Sequence, residues 1–121
     1  MVAVDNASEC ETALAAFSAV SNILMSGLAK PSSFEADRYA ANLELTSGVI
    51  APDIEDDYAI FVTGYSTAGE ALATARQVGA GTAKGAEAID QATAILNDVA
   101  VTRAAQKVAT FLAGDCAVNK Q

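Results

Sequence analysis

Apolar side chains recur at intervals of four and three residues over one long stretch, and this spacing constrains the fold most. The residues at these positions are Ile54, Tyr58, Phe61, Tyr65, Ala68, Leu72 and Ala75. Such intervals place side chains on one face of an α-helix, whereas a half-buried strand needs strict alternation. No useful stretch alternates β-branched or aromatic residues with polar ones. The pattern therefore predicts an all-α protein in which Phe61 and Leu72 are buried.

Start and stop signals divide the chain into four predicted helices, at residues 8–26, 32–47, 53–78 and 82–113. Each helix begins at a capping residue and is followed by a glycine suited to the left-handed C′ position. The caps are Ser8, Ser32, Asp53 and Thr82, and the glycines are Gly27, Gly48, Gly79 and Gly114. No linker is long enough to divide domains, so residues 1–121 are expected to form one domain, an antiparallel up-down four-helix bundle.

The last two predicted helices are longer than the first two by roughly one to several turns, at about 1.5 Å per residue. Two arrangements accommodate this excess: the third and fourth helices project as a hairpin, or the long fourth helix bends or breaks near Asn97-Asp98. Their connection, residues 71–92, contains no aromatic residue and lies in the electrically neutral half. We therefore expect Ala80 and Ala83, at the tip, to contact a second copy or a protein partner.

The net charge of −8 is unevenly distributed, because residues 1–60 hold ten acids and two bases whereas residues 61–121 hold five of each. Such a chain cannot neutralise phosphates, so nucleic acid is not expected as a partner, and anionic membrane surfaces are disfavoured. The acidic half favours either simple solubility or a basic partner. Apolar runs fall short of the roughly 20 residues that span a bilayer, so no transmembrane segment is expected. An acidic segment follows Met1 at once, so no signal peptide is expected either.

The two cysteines lie near the two ends of the chain. Cys10 falls in the first turn of the first predicted helix, and Cys116 follows the last one. Four alternating helices bring the chain ends to the same end of a bundle, which predicts a disulfide between them. In the loop-entropy model this bridge stabilises the fold by at most about 4–5 kcal/mol. The alternative is two free buried thiols. A bridge implies an oxidising compartment, so the protein is expected to be secreted, periplasmic or part of the cell envelope.

Histidine is absent from the chain. This removes Ser-His and Cys-His nucleophile pairs, most zinc sites and a His-ligated haem. The densest set of carboxylates is Asp53, Glu55, Asp56 and Asp57. Oxygen ligands of this kind suit Ca²⁺, but the set lacks the EF-hand pattern and lies where acids stabilise a helix start. We therefore expect helix capping there rather than a metal site, and we expect no cofactor.

These features predict an exported, non-catalytic helical bundle that acts by binding or within a cell-envelope or surface assembly. One alternative is a carrier of a small apolar ligand, lipid-like or flat and aromatic, with haem less suitable. Its cavity would be lined by Phe17, Tyr39, Phe61 and Tyr65, although tyrosines on such a face are more often core residues. A cavity of roughly a few hundred Å³ would favour this carrier. A carboxylate-dependent enzyme is the remaining alternative.

Overall fold

The computed structural model describes the backbone of residues 2–46 and 54–115, and the side chains of residues 9–46 and 54–114. This part contains five α-helices: α1 (Val2–Ala29), α2 (Ala36–Leu45), α3 (Glu55–Val78), α4 (Ala83–Asn97) and α5 (Val99–Thr110). A 3-10 turn, Pro31–Ser33, precedes α2, and a π-helical turn, Phe111–Asp115, follows α5. The all-α prediction is confirmed. Five helices rather than four are described, because the predicted fourth helix is divided into α4 and α5, and the up-down four-helix bundle is not confirmed.

The first helix is longer than predicted at both ends. It begins at Val2, so Ser8 lies inside α1 and does not cap it, and it continues past Gly27 to Ala29. Gly27 does not end the helix but allows close packing of neighbouring side chains. A Cβ there would stand 2.7 Å from Cδ1 of Phe34 and 3.1 Å from Cδ1 of Leu72. The helix stops because Lys30 precedes Pro31, and proline disfavours helical conformation in the residue before it.

The connection from α1 to α2 differs from the prediction of a helix starting at Ser32. Pro31 opens the 3-10 turn instead, and the Ser33 hydroxyl donates to the Lys30 carbonyl at 2.8 Å. Phe34, which is buried, follows the turn, and its carbonyl accepts a hydrogen bond from the Arg76 guanidinium on α3. This contact ties the connection to α3. The predicted stop Gly48 and cap Asp53 lie outside the described residues.

Among the described helices, α3 and α4 form the most extensive pair. The residues that end α3 and begin α4 were predicted correctly. Gly79 ends α3 with φ +94°, a conformation that disfavours any residue with a side chain. The Thr82 hydroxyl caps α4 by accepting from the Gly85 amide at 3.0 Å. Buried alanines on both helices, such as Ala75 and Ala92, let their axes approach closely.

The long fourth helix breaks near Asn97-Asp98, which was one of the two predicted arrangements. Asp98 adopts an extended backbone with φ −64° and ψ 128°. Its carboxylate accepts hydrogen bonds from the amides of Ala100 at 2.9 Å and Val101 at 3.3 Å. Asp98 is therefore the N-cap of α5. The C-terminal stop predicted at Gly114 is wrong, because that residue lies within the π-helical turn.

The core gathers apolar side chains from all five helices. Phe61 and Leu72 are fully buried, as predicted. Phe61 stands between Phe17 and Tyr65, with ring centroids 5.2 Å and 4.6 Å apart respectively. The first helix packs mainly against α2 and against the turns at Pro31–Ser33 and Phe111–Asp115, and touches α3 and α4 only lightly. This unequal packing leaves one side of α1 without a close neighbour.

The predicted disulfide falls partly outside the described residues. Cys10, on α1, is 2% exposed and belongs to the core. Cys116 lies outside the described residues, so the structure does not describe its position relative to Cys10. The bridge therefore stays a prediction.

Candidate ligand-binding cleft

A cleft of about 550 Å³ lies between α1 on one side and α4 and α5 on the other. Ligand pockets in proteins usually measure roughly 300–1,000 Å³, so the volume suits a small organic molecule. Most of the lining is apolar. The α1 wall contributes Leu24, Met25 and Leu28, and the opposite wall contributes Leu96 and Val101.

The cleft exists because neither wall fills the space between the helices. On α5 the residues that face α1 are Val101, Ala105 and Ala109, which are spaced four apart and are small. On α1 the large Phe17 is drawn inward, since its ring stacks on Phe61 in the core. Small side chains on one wall and an inward aromatic ring on the other leave an opening rather than a packed interface.

Two of the four predicted lining residues reach the cleft. Phe17 and Tyr65 are half-buried and line it, whereas Tyr39 and Phe61 are buried behind it and do not. The Tyr39 hydroxyl is used inside the core, where it donates to the Tyr65 carbonyl at 2.6 Å. The apolar face of α3 was therefore predicted correctly. Of the four predicted residues, Phe17 and Tyr65 line the cleft, whereas Tyr39 and Phe61 lie in the core behind it.

Burial raises the pKa of both phenols. For Tyr39 desolvation is the larger cause, and the nearby Tyr65 adds a smaller increase. For Tyr65 the cause is desolvation alone. Both hydroxyls therefore remain protonated at neutral pH, and the cleft wall at Tyr65 is neutral.

Polar groups line the cleft chiefly on the side of α4 and α5. The hydroxyl of Thr93 donates to the Ile89 carbonyl at 2.9 Å, and that of Thr102 donates to the Leu96 carbonyl at 3.0 Å. Their protons are thus engaged within the helices. The amides of Asn97 and Gln106 are exposed and make no side-chain hydrogen bond to other described residues. These two amides are available to orient a ligand.

The wall from α1 is the feature that the sequence reasoning missed. Residues 12–29 contain no charged side chain, and Met25 is 62% exposed at the cleft. Thioether side chains adapt to varied apolar partners, so an exposed Met beside a cleft is a signal of binding. A search for uncharged stretches, rather than for uninterrupted apolar runs, would have found it.

The same stretch bears on the expectation that no transmembrane segment is present. Glu9–Ala29 has a mean hydropathy of 1.5 and is long and apolar enough to cross a bilayer by length and composition alone. Only 28% of its most apolar window is buried within the fold. Core helices of soluble proteins and signal sequences meet the same criterion, so the finding is weak evidence for a membrane segment.

The predicted carboxylate set is only partly described. Glu55, Asp56 and Asp57 lie in the first turn of α3, and Asp53 lies outside the described residues. The Asp57 carboxylate is 3.7 Å from the Lys107 ammonium on α5. Within the described residues no three Asp, Glu, Cys or His side chains come together to hold a metal ion. Acids in this position stabilise the helix N-terminus.

The predicted interaction residues lie at the turn between α3 and α4. Ala80 belongs to the turn and Ala83 is the first residue of α4, and both are exposed. Their contact with another molecule stays a prediction.

Comparisons of this chain with family models, with curated proteins and with solved structures found no significant match.

Proposed function

We propose that this protein is a non-catalytic binding protein that holds a small, largely apolar ligand in the cleft between α1 and α4–α5. The observation that carries the proposal is a concave space of about 550 Å³ whose lining carries no formal charge. A ligand that buries about 300 Å² of apolar surface gains about 7.5 kcal/mol at ~25 cal/mol per Å². Ordering costs reduce this gain, so dissociation constants in the micromolar range or weaker are expected.

The geometry favours a small ligand over a flat protein surface for this site. Phe17 and Tyr65 form one end of the cleft, and the exposed Met25 borders its opening. A concave apolar space with a few polar groups is the usual form of a small-molecule site. The assembly role is a second candidate, supported by the exposed tip at Ala80 and Ala83.

The experiment is a fluorescence titration with Nile red, an uncharged and flat apolar probe. The variant Ala109→Trp places a large side chain in the cleft, and Ala59→Trp makes the same change on the exposed face of α3, in a separate groove. The proposal expects saturable Nile red binding to the wild type and to Ala59→Trp, and at least about tenfold weaker binding to Ala109→Trp. Equal affinity in all three proteins would refute the cleft as the site.

Export and the Cys10–Cys116 bridge form part of the same proposal. The burial of Cys10 and the packing of the turn that ends at Asp115 against α1 support a bridge at this end of the fold. A bridge would place the protein in the medium, the periplasm or the cell envelope. Intact mass after alkylation under denaturing, unreduced conditions tests it. Alkylation of both thiols would remove the support for export and would leave the cleft proposal untouched.

A further inference from the structure

The apolar cleft continues into a polar depression on the outer face of α5. This depression, of about 330 Å³, shares Asn97, Thr102 and Gln106 with the cleft and adds Val99 and Arg103. A molecule whose apolar part fills the cleft therefore has a path past two amides toward a guanidinium group. The cleft and the depression are therefore adjacent, with Asn97, Thr102 and Gln106 between them.

The charges around the cleft differ in sign from those of the whole chain. The chain carries a net charge of −8, yet residues 12–29 of α1 are uncharged and α5 contains two cations and no carboxylate. The two cations are Arg103 and Lys107. One carboxylate, Asp57, lines a further depression together with Arg103, but it is paired with Lys107 at 3.7 Å. Carboxylates farther from α5 are screened by salt.

Of these two cations, Arg103 is the one without a partner in the described structure. Lys107 pairs with Asp57, and neither ion pair among the described residues includes Arg103. The nearest carboxylate along the chain, Asp98, is engaged with the amides of Ala100 and Val101 and borders the separate groove on α3 and α5. The guanidinium is thus free to bind an anionic group of a ligand.

We infer that the ligand is an amphipathic acid, whose apolar body occupies the cleft and whose anionic group binds Arg103 with help from the amides of Asn97 and Gln106. This inference rests on the proposed function. A guanidinium offers several N–H donors in a planar fork that suits carboxylate, sulfate and phosphate oxygens alike. The amides add neutral donors beside it. No charged group enters the apolar part, where desolvation would oppose binding.

The experiment compares a dansyl-labelled undecanoic acid with its methyl ester, which lacks the charge and carries one additional methyl group, at a pH where the acid is ionised. The wild type is expected to bind the acid about fivefold more tightly than the ester, the size of a favourable exposed charge interaction. In Arg103→Gln the affinity for the acid is expected to fall to that for the ester, and the affinity for the ester is expected to stay unchanged. Lys84→Gln, which makes the same charge change in the first turn of α4, is expected to keep the preference.

The outcomes separate this inference from the proposed function. Equal binding of acid and ester by the wild type, or a preference that survives Arg103→Gln, overturns the amphipathic acid while the cleft remains a binding site. Loss of the preference for the acid in Lys84→Gln as well as in Arg103→Gln also overturns the inference, because the preference would then reflect only the net charge of the protein. Failure of the acid, the ester and Nile red to bind overturns both proposals.

Discussion

Gly69 on α3 lies against the ring of Tyr39 on α2 so closely that a methyl group on Gly69 would overlap it. An added Cβ would stand 2.8 Å from Cδ2 of the ring and nearer still to Cε2. The ring cannot easily retreat, because Tyr39 also contacts Phe34 at a centroid distance of 5.3 Å and donates to the Tyr65 carbonyl. This contact fixes α2 on α3 and holds the backbone at Tyr65, directly behind the cleft.

Gly69→Ala is therefore expected to destabilise the protein. Alanine gains about 1 kcal/mol of helix propensity over glycine, whereas overpacking in a core costs typically about 1–3 kcal/mol. Because the ring is held on two sides, we expect the cost of overpacking to exceed the gain in helix propensity. The free energy of unfolding, measured with urea, should therefore fall by about 1–2 kcal/mol. Gly81→Ala is the matched control, because nothing lies within 4 Å of its added Cβ, and it should change stability by less than about 0.5 kcal/mol. A Gly69→Ala variant as stable as the wild type would contradict the packing described.

Stability is expected to fall at alkaline pH because of the two buried phenols. Burial raises the pKa of Tyr39 and Tyr65 in the folded state. A raised folded-state pKa gives stability that is complete below the unfolded value of about 10 and is lost as the pH rises through the folded value. The free energy of unfolding should therefore be flat near neutral pH and should decline above about pH 10, by up to ~1.4 kcal/mol per pH unit for Tyr39 and by less for the more exposed Tyr65. Tyr39→Phe should lessen this decline, and an equally steep decline in that variant would contradict the assignment to Tyr39.

The break between α4 and α5 depends on Asp98. Asp98→Ala removes the acceptor for two backbone amides and should cost about 1 kcal/mol, measured by thermal or urea unfolding. Asp98→Asn should retain most of that stability, since asparagine is an equally good N-cap. The control, Asp90→Ala, changes an exposed position inside α4 and should be neutral or slightly stabilising. Equal effects at positions 90 and 98 would show that the cap is not important.

The exposed tip of the α3–α4 hairpin is predicted to mediate association. Replacing Ala80 and Ala83 with glutamate should weaken self-association and leave the helical circular dichroism signal intact, because an acid near the start of α4 is favourable. Sedimentation velocity over a concentration series compares this variant with the wild type and with Ala59→Glu/Ala100→Glu, which adds the same charge at two other exposed positions. A wild type that stays monomeric at high concentration would rule out self-association at the tip.

The sequence predicted correctly those helix ends that are determined by residues close to them in the chain. Gly79, Thr82 and the Asn97-Asp98 break were recognised because a positive φ, a hydroxyl acceptor and a capping carboxylate act within a few residues. Gly27 was misread because its role comes from Leu72, which lies far away in the sequence and packs against it. Ser8 was misread because a serine followed three residues later by a glutamate, here Glu11, is a capping pattern, yet the same spacing also occurs inside a continuing helix.

The cleft could be predicted only in part, because it is a space left unfilled between helices that are far apart in the sequence. The apolar stripe of α3 identified Tyr65 and Phe61 as aromatic anchors. Whether such residues face a core or an opening depends on the small size of Ala105 and Ala109 opposite α1. The sequence analysis assigned no role to Arg103, because its position beside the cleft depends on how α5 packs in the fold.

Binding of a ligand in the cleft is measured most directly by a ¹³C-methyl NMR titration of protein labelled at Met and Ile methyl groups. Met25 borders the cleft and is assigned by its loss in Met25→Leu, whereas Ile60, 41% exposed, lies in the separate groove on α3 and serves as the internal reference. On addition of the dansyl-labelled acid, and separately of its ester, we expect a saturable shift of the Met25 signal and an unmoved Ile60 signal. An unmoved Met25 signal at probe concentrations that saturate the fluorescence, or equal shifts at both methyl groups, would contradict binding in the cleft.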